Sequence, residues 1–292
     1  MESAIGLVSA ALEENTKIVY RRAWSILNKF LVEHNLPLAL PLLERSMILF
    51  IAYLFECKYA ASTIQTMVSA ISYIHQLNGM NDPSKQFFIK KMLQGSKKIS
   101  KSVDIRLPIT LPILRKLISA ADAIFCSKYE RICFKAMCVL AFNALLRVGE
   151  MTDSKNNLDS DCIELRDNVL VVIFPRYKHN YEGGSTLYLP EIKGSDLCPV
   201  KSIRQYMAIR GNSFGPFFLK VDNTPFTRSQ FVSNLKLALK YCGLSDLRYK
   251  SHSFRIGGAT HLAQLGRSEL QIRQAGRWQS NAFTKYTRIN YM

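Results

Sequence analysis

Residues 161–192 read DCIELRDNVLVVIFPRYKHNYEGGSTLYLPEI. Here the apolar spacing of the chain changes from helical to alternating. Three strand-like runs stand out: Cys162–Arg166, Val169–Phe174 and Ser185–Leu189. Asp167-Asn168 and Glu182-Gly183-Gly184 separate them, and both carry residue types suited to tight turns. The stretch predicts one small antiparallel sheet of three strands.

The sequence on either side has helical spacing. Upstream, LPILRKLISAADAIF follows Thr110, a candidate cap, and YERICFKAMCVLAFNALL predicts a long buried helix. Downstream, CPVKSIRQYMAIR, TRSQFVSNLKLALKYCG and two shorter segments after Ser251 continue the helical pattern. The first hundred residues read as helices only. ENTKIVYRRAWSILNKFLVEHNL places Ile18, Trp24, Ile26, Leu27, Phe30 and Leu31 near helical spacing. Pro41 suits the first turn of a second helix. Ser62 and Gln65 have the spacing of a capping box for a third, which Gly79 stops. SKQFFIKKMLQG predicts a fourth. The fold class expected is mainly α: an N-terminal helical domain over 1–100, a basic linker over 101–108, and an α+β domain over 109–292 holding the small sheet.

Composition limits what such a chain does. Hydrophobic residues make up 48% of 292 positions, enough for packed cores. Lys and Arg number 39 against 22 acids, a net charge of +17, which points to a polyanion partner. The excess is uneven: residues 1–106 carry +5 and residues 107–292 carry +12. The seven cysteines form no C-x-x-C pair and no secretory leader is recognisable, so a reducing, intracellular setting is expected, with each cysteine a small buried hydrophobe. The longest apolar runs are too short to span a bilayer, and no membrane partner is expected.

Several polar residues stand where structure alone does not demand them. His252 and Arg255 lie at the start of a predicted helix that Ser251 or Ser253 caps, where free N–H groups suit a phosphate. With 39 basic residues and five histidines, one such pair is close to what composition produces by chance. Arg147 and Glu150 follow the long apolar helix, as either a local ion pair or an oriented phosphate fork. Lys178 lies between two strands, where it either solubilises a hairpin or enters a DNA groove; Arg176 and His179 are near enough to substitute. Trp278 sits after a second capping box, Ser268 with Gln271. Gly266 and Gly276 end the two helices there, an outline that also fits a helix-turn-helix DNA binder. Tyr286 is one of 13 tyrosines. A free phenol is only about 0.1% ionised at pH 7, so a nucleophilic Tyr286 needs a base and nearby cations. Tyr291 is its nearest competitor.

Taken together, the series Arg147, Glu150, Lys178, His252, Arg255, Trp278 and Tyr286 resembles the active site of the tyrosine recombinase (phage integrase) family. The phrases RLPIT, LCPV, HSFRIGGAT and GRW-x-S-x-AF-x-x-Y-x-R are most similar to eukaryotic transposon recombinases of the Crypton and DIRS type. The resemblance implies a core-binding domain followed by a catalytic domain, acting on double-stranded DNA as a tetramer on two sites, in a nucleus. It implies cleavage and rejoining with no metal and no cofactor. Tyr286 would attack the scissile phosphate to leave a 3′-phosphotyrosine, and Arg147 and Arg255 would bind the non-bridging oxygens. Lys178 would protonate the leaving 5′-oxygen, His252 would act as base, and Trp278 would pack at the phosphate. Lys90, Lys91, Lys97, Lys98, Lys101, Arg176 and Arg277 are the expected DNA-contacting cations. Alternatives at this point are a domesticated, non-catalytic DNA-binding protein and a type IB-like topoisomerase. Six residues follow Tyr286, where family members extend a helix into a neighbouring subunit. That implies a truncated segment, another assembly surface or weak tetramers.

Overall fold

The computed structural model describes residues 6–8, 10–100, 104–175 and 183–288. The chain divides into two compact units, Met1–Asp104 and Ile105–Met292. Among the described residues the long helices of the first are α1 (Glu14–Glu33), α2 (Glu44–Glu56), α3 (Ala61–Leu77) and α4 (Phe87–Ile99). Their apolar stripes meet in a core of Leu27, Phe30, Met47, Phe50, Leu54, Ile64, Ile71 and Ile89. His75 ties the α1–α2 connection to α3, accepting from the Leu42 N–H at Nε2 and donating from Nδ1 to the Ile71 carbonyl.

Local signals held in part. Gly79 takes a left-handed φ of 62° just past α3, as a helix stop requires. Ser62, expected as a cap, instead lies inside α3, because the helix starts at Ala61 with Ala60 as its N-cap. Pro41 likewise falls outside α2, whose N-cap is Leu43.

The second unit is built around α6 (Lys128–Asn143), in which nine of 16 residues are buried. It packs against α5 (Leu111–Ile124), α7 (Pro199–Arg210) and α9 (His252–Gln264), with α8 (Arg228–Tyr241) against α5 and α10 (Glu269–Gly276) against α9. The sheet runs β1 (Ile163–Arg166), β2 (Val169–Phe174) and β3 (Ser185–Pro190) in that order, antiparallel throughout. Asp167, with φ 49°, makes the β1–β2 turn and sets Arg166 opposite Val169. The linker ends sooner than the sequence suggests. Leu107 and Ile109 donate to the carbonyls of Arg248 and Ser253, so residues 105–108 already belong to this unit. The cysteines are free and diverge from the expectation of uniform burial. Cys133, Cys138, Cys162 and Cys198 are buried, Cys242 is half-buried, and Cys57 and Cys126 are exposed. Among the described residues no helix is long and apolar enough to cross a membrane.

Candidate active site

Two helix ends that stop on left-handed residues build the site. At the end of α6, Leu145 has φ 48°. Its N–H reaches the Phe142 carbonyl, and the Leu146 N–H reaches that of Ala141. At the end of α10, Arg277 has φ 55°, with its N–H on the Gln274 carbonyl and the Trp278 N–H on that of Arg273. Both are Schellman closures, usually made by glycine; a side chain there adds about 1–2 kcal/mol of strain. Gly266, by contrast, closes α9 with φ 71°, as read from the sequence. Gly276 ends α10 as read from the sequence, as its last residue, and the left-handed turn falls on Arg277 that follows it. A Cβ on Gly276 would meet the Trp278 ring at 1.7 Å, so its bare backbone is what lets the indole fold back over the helix end.

Arg147 emerges just beyond the α6 stop. Its N–H donates to Glu150 Oε2 at 2.7 Å and its Nη1 to Oε1 at 3.0 Å. Glu150 is nearly buried, whereas the Arg147 side chain keeps 31% of its surface. The second partner of the carboxylate is Arg277, whose Nη2 lies 2.9 Å from Oε2. This corrects the expectation of Arg277 as a DNA contact. Its side chain is 1% exposed, and it donates to the carbonyls of Ala144, Leu145 and Ala275 while lying 3.7 Å from the centre of the Phe174 ring.

Arg255, on the first turn of α9, is fully buried. Its two Nη groups donate to the Leu145 and Gly276 carbonyls, which joins the two helix ends. Its guanidinium lies 4.1 Å from the centre of the Trp278 ring and 5.6 Å from that of Tyr286. The Nε–H is buried and meets no acceptor among the described residues. Burial, then the charges of Arg147 and Arg277, pull its pKa down to about 9, while Glu150 works the other way. The group is therefore charged at neutral pH in surroundings short of negative charge, which an oxyanion would supply.

Tyr286 follows a short 3₁₀ turn, Asn281–Lys285. Its hydroxyl lies 2.8 Å from Nε2 of His252, the first residue of α9. With the ring proton on Nδ1, the phenol donates to Nε2, the arrangement a general base needs. The Trp278 and Tyr286 ring centres are 5.0 Å apart. Thr260 holds the segment from below, donating to the Tyr286 carbonyl and accepting from the Arg288 N–H. The cap expected from Ser251 is absent: Ser251 makes no side-chain cap, and Ser253 instead accepts from the Lys250 N–H. The Ser268–Gln271 box on α10 is formed.

Gly257 and Gly258 explain how α9 comes so close. A Cβ on Gly257 would lie 1.9 Å from the Ile109 carbonyl oxygen, and one on Gly258 2.3 Å from that of Phe142. The pair thus lets the RLPIT segment and the end of α6 press onto the helix that carries His252 and Arg255.

The structure therefore gathers Arg147, Glu150, His252, Arg255, Trp278 and Tyr286 into one cluster. Lys178, Arg176, His179, Lys101 and Tyr291 lie outside the described residues. Lys90, Lys91, Lys97 and Lys98 are exposed on α4, in the other unit. Sequence reasoning missed the buried role of Arg277, the Leu145 carbonyl and Thr260. Only Thr260 left a signal, its place in the HSFRIGGAT phrase.

Comparison with known proteins agrees with this fold. No curated protein sequence matches the chain. Among solved structures, a lambda integrase dimer bound to a COC′ core site is similar with a TM-score of 0.64 at 17% identity, covering 94% of this chain and 92% of that one. The Tn1549 transposon integrase in complex with circular intermediate DNA gives 0.67 at 15% identity, covering 95% and 90%. A lambda integrase tetramer bound to a Holliday junction gives 0.66 at 15%, covering 97% and 74%. The model described as "Phage integrase family" matches residues 112–292, more than half of the chain and the whole stretch in which the clustered side chains lie. The chain belongs to the phage integrase family, the tyrosine recombinases.

Proposed function

We propose that this recombinase cuts and rejoins duplex DNA through Tyr286, with no metal and no nucleotide cofactor. The observation that carries the reading is the 2.8 Å contact between the Tyr286 hydroxyl and His252, set against the buried guanidinium of Arg255. His252 takes the phenolic proton as the Tyr286 oxygen attacks phosphorus. The bond from phosphorus to the 5′-oxygen breaks, leaving a 3′-phosphotyrosine, and Lys178 protonates the departing oxygen. In the reverse step a 5′-hydroxyl attacks the phosphotyrosine and Tyr286 regains its proton, so the bond energy is conserved. Arg147 and Arg255 hold the non-bridging oxygens. The rings of Trp278 and Tyr286 lie against Arg255 before the reaction. The Arg255 Nε–H, which has no acceptor among the described residues, is the donor left for a phosphate oxygen.

The α4 lysines bind the DNA backbone. Assembly as a tetramer on two sites is supported by the likeness to the lambda integrase tetramer. The phrases RLPIT, LCPV and GRW-x-S-x-AF support a Crypton/DIRS-type transposon recombinase, and with it a nuclear location. The test is a duplex carrying the cognate site and a nick beside the scissile phosphate, which traps the covalent product. Wild type yields an adduct that survives denaturation, and Tyr286→Phe yields none. No wild-type adduct on any such duplex overturns the reading.

A further inference from the structure

We infer that Arg277 is a positioning residue for strand transfer, joining the Glu150–Arg147 pair to the helix end that carries Trp278; this rests on the function proposed above. Four observations support it. Arg277 shares the Glu150 carboxylate with Arg147: Oε2 accepts from Arg277 at 2.9 Å while Oε1 accepts from Arg147 at 3.0 Å. The same guanidinium fork reaches the Ala144 and Leu145 carbonyls, the backbone turn from which Arg147 emerges. Its backbone is the left-handed stop of α10, and the next residue is Trp278. Its plane lies over Phe174, the last residue of β2, so the sheet also backs the cluster.

Arginine at this backbone position is a poor choice for the turn itself, since glycine takes a left-handed φ without strain. Burying a third guanidinium beside Arg147 and Arg255 is also unfavourable. Both penalties are explained if the fork sets the carboxylate. With Arg277 in place, Glu150 is held between two cations and Arg147 keeps a partly exposed guanidinium for phosphate. Without it, the carboxylate turns wholly to Arg147 and draws that cation inward. Arg277 touches no reacting atom in this account and acts through Glu150, Arg147 and Trp278.

The experiment measures single-turnover cleavage of the nicked duplex at saturating DNA, together with Kd, for Arg277→Gly and Arg277→Lys. Glycine removes the fork and relieves the turn. The expected result is a 10- to 100-fold lower cleavage rate with Kd within twofold of wild type, and an intermediate rate for the lysine variant, which keeps charge but not the fork. Combining Arg277→Gly with Glu150→Gln lowers the rate by much less than the product of the two single effects. Should Arg277→Gly not fold, Arg277→Lys decides: a wild-type rate overturns the inference. So does a wild-type rate for folded Arg277→Gly, a fully multiplicative double variant, or a weaker Kd with a shallower salt dependence, the mark of a direct phosphate contact. In each case wild type still forms the adduct; if wild type forms none, the functional reading fails and the inference falls with it.

Discussion

The Tyr286 hydroxyl and the His252 Nε2 are in hydrogen-bond contact at 2.8 Å, although 34 residues separate them in the chain. Tyr286 belongs to the segment after the last short turn and His252 to the first turn of α9. Thr260, two turns along α9, holds the backbone on either side of Thr287. The base and the nucleophile are thus set by one helix. His252→Gln keeps a polar side chain but loses the imidazole base. It is expected to lower single-turnover cleavage by about 10²–10³-fold with little change in DNA affinity, in the range typical of general-base removal. Rate and Kd measured on the same nicked duplex check this. A change in Kd alone would assign His252 to binding.

The glycine pair in α9 gives a stability prediction with an internal control. Gly257→Ala and Gly258→Ala push a methyl into the Ile109 and Phe142 carbonyls. Each is expected to lose about 1–3 kcal/mol, as overpacking does. Gly95, inside α4, has nothing within 4 Å of its would-be Cβ, and Gly95→Ala is expected to gain about 0.5–1 kcal/mol from helix propensity. Denaturant unfolding of the three variants tests the contrast, which equal effects would contradict.

Arg255 links function to a stability penalty. Burial first, then Arg147 and Arg277, lower its pKa to about 9. A base whose folded pKa is depressed destabilises the fold while charged, at every pH below that value. The penalty fades as pH rises through about 9, where the folded state gives up the proton that the unfolded chain keeps. Arg255→Met is therefore expected to abolish cleavage while raising Tm at pH 7, with the gain shrinking above about pH 9. Thermal unfolding between pH 6 and 10 checks both statements. A lower Tm at pH 7 would show that the buried cation stabilises the fold.

The α4 lysines give a salt prediction. Lys90 and Lys97 are both exposed on that helix. If each contacts one phosphate, Lys90→Ala with Lys97→Ala reduces the slope of log affinity against log salt by about 2. Binding titrations from low to moderate salt measure it. An unchanged slope would remove α4 from the DNA interface.

The sequence carried the fold well where periodicity was strong. The burial of α6 and the existence of β1, β2 and β3 follow from apolar spacing over whole elements. The strands appear within a residue of the expected limits, whereas α6 stops at Asn143, three residues before Leu146, and only β3 alternates cleanly in burial. It carried helix ends poorly. Ser62 with Gln65 has capping-box spacing, but the cap depends on which residue starts the helix, and that is Ala61. The candidate site was legible as an ordered set of residue types, because His252, Arg255 and Tyr286 are chemically conspicuous. Arg277 was misread because one sequence does not distinguish a buried arginine from an exposed one. The Leu145 carbonyl had no signal at all, since any residue type supplies a carbonyl, and a leucine gives no hint of a left-handed turn.

The most direct test of the central claim is to digest the trapped protein–DNA adduct and identify the amino acid joined to DNA by mass spectrometry. The account predicts a single linked peptide containing Tyr286, with the DNA joined through its 3′-phosphate and a free 5′-hydroxyl on the released strand. A linkage to another residue, Tyr291 included, or a 5′-phosphate join would contradict it.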